Sequence, residues 1–415
     1  MFYLLMGYAF FLPISHVIID KLLIFIVLLF FMSSNLKEKF LYGLKNKVVL
    51  AFVLFFSMHV IWMVGSDNLD IARFELKDSM VLLYPLLFIS LIRKKDVEKL
   101  FLTLIISLFI SSIWSYLIFF HIYDSPVRIC FEAVPFLYKG DYGFFLITLL
   151  MYSLYRLISM PLTTRYKYFL LIFFLLGSVN IFIIGSKTSY FAYIIGISSV
   201  VLMKSDFLSF KKVILFFLGI ISIYFVAYYT IDNFHQRMDL TYESSKEAIE
   251  EKDFNTSAGA RYGMVLYSIP VIKENWLFGV GTGDHAVEVR NRIVADYRAK
   301  IAAGHTEATE QYKELIRSMF IGKSSHLHNT YLQVLVQFGI IGFLVFMNIF
   351  YQIYRSETSQ EYKALQKSLI IVYFFISFGG ADFMFHSLGK FFVFVLMLTI
   401  ANYHDKSQKD EALSA

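Results

Sequence analysis

Runs of apolar residues recur along this chain at 2–16, 18–33, 48–64, 78–92, 99–121, 140–160, 168–184, 188–203, 213–231, 328–350, 368–384 and 389–402. Each approaches the roughly 17–25 residues with which a helix crosses a bilayer, and shorter helices suffice inside a bundle. Lipid offers the backbone no hydrogen bonds, so such a run must bond within itself, which selects helix. The pattern therefore predicts an all-α polytopic membrane protein of about twelve transmembrane helices. Composition agrees, because 58% of the chain is hydrophobic and 17% charged, against roughly 45–50% and 25% in soluble domains. An ordinary cytosolic enzyme is excluded. Pro13 and the Asp20–Lys21 pair divide residues 1–33 into a hairpin of two short helices; an undivided segment would give eleven spans. No Lys or Arg precedes Lys21, so the first stretch lacks the basic flank of a cleaved signal and reads as a retained membrane segment. The single Cys130 forms no intrachain disulfide and leaves the redox compartment open.

Charge gives the sidedness. With the loop 34–47 in the cytoplasm, 19 basic residues fall on that side and seven in the short loops opposite, Lys21, Arg73, Lys77, Arg128, Lys139, Lys187 and Lys390. The positive-inside bias then puts both termini in the cytoplasm. The net charge of +6 follows this sidedness and gives no sign of nucleic-acid binding. The remaining 12 basic residues lie in 232–327, where composition turns abruptly polar and 14 acidic residues leave a net of −2. The expected organisation is a bundle over 1–231, a large helical loop domain over 232–327, further spans over 328–402 and a tail, 403–415. Ala286, Val289, Ile293, Tyr297 and Ile301 recur at helical spacing, as do Tyr312, Leu315, Ile316, Met319 and Phe320, which predicts two amphipathic helices at the bundle mouth. Their basic residues, Arg290, Arg292, Arg298, Lys300, Lys313 and Arg317, read either as a salt-bridged solvated face or as a rim that meets a phosphorylated acceptor. The stretch Gly279-Val280-Gly281-Thr282-Gly283-Asp284 reads as a turn in preference to a phosphate cradle.

Charged groups at span ends are costly unless paired or used, which singles out three residues. Lys187, in the turn Gly185-Ser186-Lys187-Thr188-Ser189, is pinned at the membrane face as a snorkelling lysine or as an anion ligand beside backbone donors. Arg261, with Ser257 as the expected helix cap and a helix ending near Pro270, carries a guanidinium that grips a diphosphate through two parallel bonds, or pairs with a loop carboxylate. Arg237 and Arg290, in the same segment, offer the same chemistry. His328 opens the tenth span, as a helix cap or as a general base, since imidazole accepts a proton near neutrality. His326 and Asn329 flank it. A metal site on His326 and His328 is disfavoured, because residues i and i+2 of a helix diverge and no Cys or HExxH partner occurs.

Taken together, these residues resemble the O-antigen ligase and polymerase superfamily. Its ligase signature, His then Asn, Ser or Gln, then nine residues and Gly, is met by His328, Asn329 and Gly339, and the segment Gly259-Ala260-Arg261 is similar to that of its loop arginine. Lys187 stands where the family usually has a second arginine, keeping charge without bidentate geometry, and Asp382 matches a family aspartate of undefined role. The resemblance implies transfer of O-antigen polysaccharide from undecaprenyl diphosphate to lipid A-core at the periplasmic face of the bacterial inner membrane. It implies inversion at the anomeric carbon, His328 as base, Arg261 and Lys187 on the diphosphate, and no metal or cofactor. Three alternatives stay open: an O-antigen polymerase, a protein O-oligosaccharyltransferase, which usually carries an added C-terminal periplasmic domain, and a polysaccharide transporter. A transporter would show repeat symmetry and interrupted helices, which the sequence does not display.

Overall fold

A computed structural model describes residues 1–33, 35–124, 133–203, 210–304, 309–321, 324–380 and 386–413. Asp382 and Cys130 lie outside the described residues. The described chain is helical apart from a two-residue antiparallel pairing, Phe320 with Ser325 and Ile321 with Ser324. A helix occupies each apolar interval: Phe2–Phe11, His16–Phe31, Lys47–Ile61, Tyr84–Leu91, Val97–Phe119, Lys139–Ser159, Thr164–Ile183, Lys187–Met203, Phe210–Thr230, Thr330–Arg355, Gln360–Ile376 and His386–Leu413. Five candidate spans are long and apolar enough to cross a membrane, and a sixth follows if His16–Phe31 and Leu36–Lys45, bent by 109°, form one broken span. Among the described residues the protein is thus a multi-pass membrane protein with five to six clear candidate spans, and four shorter apolar helices, Phe2–Phe11, Lys47–Ile61, Lys187–Met203 and Leu388–Ala401, lie in other expected intervals. Local sequence explains why some helices are short. The first helix stops at Phe11, before Pro13, and its 10 residues reach about 15 Å, half the hydrocarbon thickness. The interval 78–92 is divided into a 3₁₀ turn, Ser79–Leu83, and an eight-residue helix.

Lys139–Ser159 runs through the middle of the bundle, buried continuously from Tyr142 to Ser153, and packs against Thr164–Ile183 and Lys187–Met203. One polar network runs through this layer. Tyr142 donates its hydroxyl to Asn180 Oδ1 at 2.8 Å, and Asn180 Nδ2 donates to Ser115 Oγ at 2.9 Å, tying three helices together. Phe210–Thr230 lies outside, with Leu215, Ile221, Phe225 and Tyr229 exposed, as suits a lipid-facing helix.

The segment 232–327 folds as four helices, Asp232–Glu250, Ser257–Glu274, His285–Ala302 and Thr309–Met319. The two amphipathic helices appear where the periodicity put them, burying Ala286, Val289, Ile293, Tyr312, Leu315 and Met319. With Phe254, Met264 and Val271 these form a second apolar core that reaches into Leu332 and Val336 of the next helix. Two local expectations are corrected. Thr256, not Ser257, caps the Ser257–Glu274 helix, accepting the Gly259 N–H at 3.0 Å, and the helix continues through Pro270 to Glu274 because Val271 is buried in that core.

Thr330–Arg355 breaks at Gly339, whose φ of 62° and ψ of −160° are non-helical. The break frees backbone groups, and the turn after Glu274 takes them. Val280 and Gly281 donate to the carbonyls of Val336 and Gln337, each at 2.9 Å, while Ile340 and Ile341 donate to those of Trp276 and Leu277, at 2.8 and 3.4 Å. The glycine-rich stretch is thereby a docking turn. A Cβ on Gly339 would lie 2.5 Å from the Leu277 carbonyl. Gly339→Ala therefore combines a clash with a backbone conformation that costs about 1–3 kcal/mol for other residues. The expected result is a clear loss of thermal stability in detergent, measured by unfolding-coupled size-exclusion chromatography, and Gly219→Ala, at a helical position with open space around it, is the comparison.

Candidate functional site

Four of these helices begin at one cavity. The N-terminal residues of Lys139–Ser159, Lys187–Met203 and Ser257–Glu274, and the segment just before Thr330–Arg355, line a space of about 690 Å³. Each helix start presents unpaired N–H groups and a partial positive charge, so their convergence favours an anion. Side chains add to it: Lys139, Lys187, Arg237, Arg261 and Lys390 line the cavity against Asp20 and Asp141. Lys390 is already paired with Asp20.

Lys187, Arg237, Arg261, His326 and His328, separate in sequence, share this lining. Arg237, Arg261 and Lys139 all bear electrostatically on Lys187. Neither Lys187 nor Arg261 makes a hydrogen bond or ion pair with another described residue. The Arg261 side chain lines the cavity, where surrounding atoms lower its pKa by partial desolvation while the residue keeps contact with solvent. Guanidinium keeps its charge throughout. Two cations without a partner among the described residues, in a cavity lined by helix starts, suit an anion.

His328 has a left-handed backbone, φ 50°, directly before the helix. Gly380 packs on it so closely that a Cβ there would lie 2.7 Å from His328 Cα, C and O. The His328 Nε2 lies 3.2 Å from the Ser318 carbonyl oxygen, which can only accept, so Nε2 carries the proton and Nδ1 keeps the lone pair. Burial first, then Arg261, lowers the His328 pKa against the raising effect of the Ser318 bond, so the ring is neutral near pH 7. His326 Nδ1 accepts the His328 N–H at 2.6 Å, and the two rings lie 4.8 Å apart. Asn329 is the helix cap, its Oδ1 accepting the Leu332 N–H at 3.0 Å.

Other residues fall elsewhere. Arg290 is outside the cavity lining, with its guanidinium 5.8 Å from the Phe320 ring centre. Its neighbours on the amphipathic helices are paired, Arg292 with Glu274, Lys300 with Asp296 and Arg317 with Glu314, which is the salt-bridged reading of that face. Among the described residues no three His, Cys, Asp or Glu side chains form a metal-binding group. Sequence reasoning used Lys139 and Lys390 only as sidedness markers. Their shared position at span ends on the Lys187 side was the signal available for a site.

Residues 172–347 match the family model described as O-antigen ligase. That stretch of the chain is similar to the O-antigen ligase family. The matched O-antigen ligase stretch contains Lys187, Arg237, Arg261, His326, His328 and Asn329. An uncharacterized protein of Haemophilus influenzae is 26% identical over 226 residues, covering 52% of this chain and 51% of the relative. The chain thus spans about half the length of the curated relative it matches. The Asn329 cap is open to direct measurement. Asn329→Ala should lower stability by about 1 kcal/mol, and Asn329→Ser, which can still cap, should retain most of it, in thermal unfolding.

Proposed function

We propose that this protein transfers a glycan from undecaprenyl diphosphate to an acceptor hydroxyl at the periplasmic face of the inner membrane, with lipid A-core as the acceptor. The observation that carries the reading is the single cavity that gathers unpaired Lys187 and Arg261 with a neutral His328. A diphosphate is a sufficient leaving group, so the reaction calls for charge stabilisation and a base, and for neither metal nor cofactor. His328 Nδ1 takes the acceptor hydroxyl proton as its oxygen attacks the anomeric carbon. The carbon–oxygen bond to the diphosphate breaks, its electron pair leaves with the diphosphate, and Arg261 and Lys187 hold the growing charge. One displacement inverts the anomeric centre. Arg237 and Lys139 extend the cationic wall, His326 and Asn329 hold the His328 segment, and Asp382 keeps only the role that resemblance suggests.

The test is a reconstituted assay with undecaprenyl-diphosphate-linked glycan. Lipid A-core added to it should yield the conjugate, and donor alone should give no longer chains. Elongation from donor alone, with lipid A-core unmodified, would make the protein a polymerase. In that assay His328→Ala should lower kcat by about 10²–10⁴-fold, the usual contribution of a general base, without loss of folded protein. The base works when neutral, so activity should fall on acidification, with the acid limb below the ordinary histidine value of about 6.5 because burial and Arg261 lower the His328 pKa. An acid limb unchanged in a residually active His328 variant would remove the base assignment. Arg261→Ala should lower kcat by about 10²–10³-fold, and Arg261→Lys should recover only part. Lys187→Arg should be tolerated. A Lys187→Ala variant at wild-type rate would return Lys187 to the snorkelling lysines.

A further inference from the structure

Below the cavity, the short helix Leu69–Asp78 places Glu75 in a site where its residue is 2% exposed. Its Oε2 accepts the Gly283 N–H at 3.0 Å and the Gln337 side-chain amide at 3.1 Å. Its Oε1 accepts the Ser325 hydroxyl at 2.7 Å and lies 3.5 Å from His285 Nδ1. His285 is fully buried, its ring nitrogens make no hydrogen bond of good geometry, and the Ser325 backbone bears on the ring. No lysine or arginine is paired with this carboxyl among the described residues.

The donors locate the proton. Two N–H groups on Oε2 make it the bare oxygen, so any carboxyl proton sits on Oε1, where His285 Nδ1 is the facing acceptor. A single proton shared by Glu75 and His285 can form a neutral pair or an ion pair. The neutral arrangement avoids burying two charges without further partners. The surroundings agree. Burial, with the carboxylates of Asp284 and Asp78, pushes Glu75 up to about 8 despite the Ser325 and Gly283 bonds, and burial pulls His285 down to about 4. The other titratable neighbour is His59, which lies behind His285, and Asp284 is itself bonded to the Asp67 and Asn68 N–H groups.

The three groups held by Glu75 come from three places that build the site. Ser325 lies three residues before His328, Gln337 adjoins the helix break, and Gly283 belongs to the turn docked into it. We propose that Glu75 is a positioning residue whose carboxyl group, through these three hydrogen bonds, holds the His328 segment, the break at Gly339 and the 279–284 turn in one arrangement, and whose buried charge on ionisation is relieved only by opening of that arrangement to water. For the activity readout this rests on the glycan-transfer reading, so two measurements are chosen that do not.

Glu75→Gln reproduces the neutral acid, with a carbonyl oxygen for Oε2 and an N–H donor for Oε1, and it cannot ionise. Infrared spectra of the protein in detergent near pH 7 should contain a protonated-carboxyl band that Glu75→Gln removes and that titrates away in the wild type around pH 8. Amide hydrogen exchange at 279–284 and 324–328, corrected for its intrinsic pH dependence, should rise above that pH in the wild type and stay level in Glu75→Gln. In the transfer assay, wild-type kcat should decline over the same range while the pH profile of Glu75→Gln stays flat. Glu75→Ala should lose about 10²-fold in kcat through misplacement of His328, with donor KM nearly unchanged because Lys187 and Arg261 remain. No carboxyl band lost in Glu75→Gln, or exchange in that variant rising with pH as in the wild type, would overturn the proposal whether or not the protein transfers glycan. An inactive wild type with both spectroscopic results intact would instead count against the transfer reading alone.

Discussion

A helix among lipid tails normally gives every N–H to the carbonyl four residues back, and a break leaves donors and acceptors that lipid cannot satisfy. At Gly339 the freed carbonyls of Val336 and Gln337 are taken by Val280 and Gly281, and the freed N–H groups of Ile340 and Ile341 by Trp276 and Leu277. This exchange of four backbone hydrogen bonds sews the loop domain to the bundle. It fixes where Ser257–Glu274 ends, and therefore bears on where Arg261 stands relative to His328. Without it the second apolar core, which includes Leu332 and Val336, would have no fixed seat on the spans.

The same junction explains the cavity's character. Helix starts at Lys139, Lys187 and Ser257 converge there, so backbone N–H groups and three basic side chains face one space. Such a concentration of positive charge opposes folding unless an anion is present for much of the protein's life, or unless water fills the space. The reward is a preorganised site, in which stabilising charge is in place before the bond to the leaving group breaks. His328 is held neutral beside Arg261, and its Nε2 proton is fixed by the Ser318 carbonyl. Its left-handed backbone is strain of the kind found where geometry serves chemistry.

Some features were legible because they depend on few neighbours. Apolar runs specify helices one by one, and the periodicity of 286–301 and 312–320 specified two more. Lys187, Arg261 and His328 stood out because charge at a membrane boundary is costly wherever it occurs. The division of the 78–92 interval was less legible, since the 3₁₀ turn at Ser79–Leu83 shortens a helix that hydropathy alone leaves whole. Adjacent residues that can each cap a helix, Thr256 and Ser257, differ only in which one the tertiary contacts leave outside it. Glu75 gave no signal at all. It sits among Asp67, Asp70, Arg73, Lys77 and Asp78, which read as a solvated connection, and its partners lie 208 to 262 residues away.

The sequence by itself determined that the chain is helical, membrane-embedded and equipped with a polar segment and with cations at span boundaries, because hydropathy, periodicity and charge cost are properties of short windows. It also determined that a glycine follows His328 and Asn329 at a set distance, without giving the reason. Tertiary structure alone decided that this glycine breaks a helix so that a turn can dock, that Arg290 stacks on Phe320 instead of entering the cavity, and that a buried carboxyl joins Ser325, Gly283 and Gln337. These depend on which distant backbone groups come to be left unpaired, and that is settled only when the whole bundle closes and water is gone.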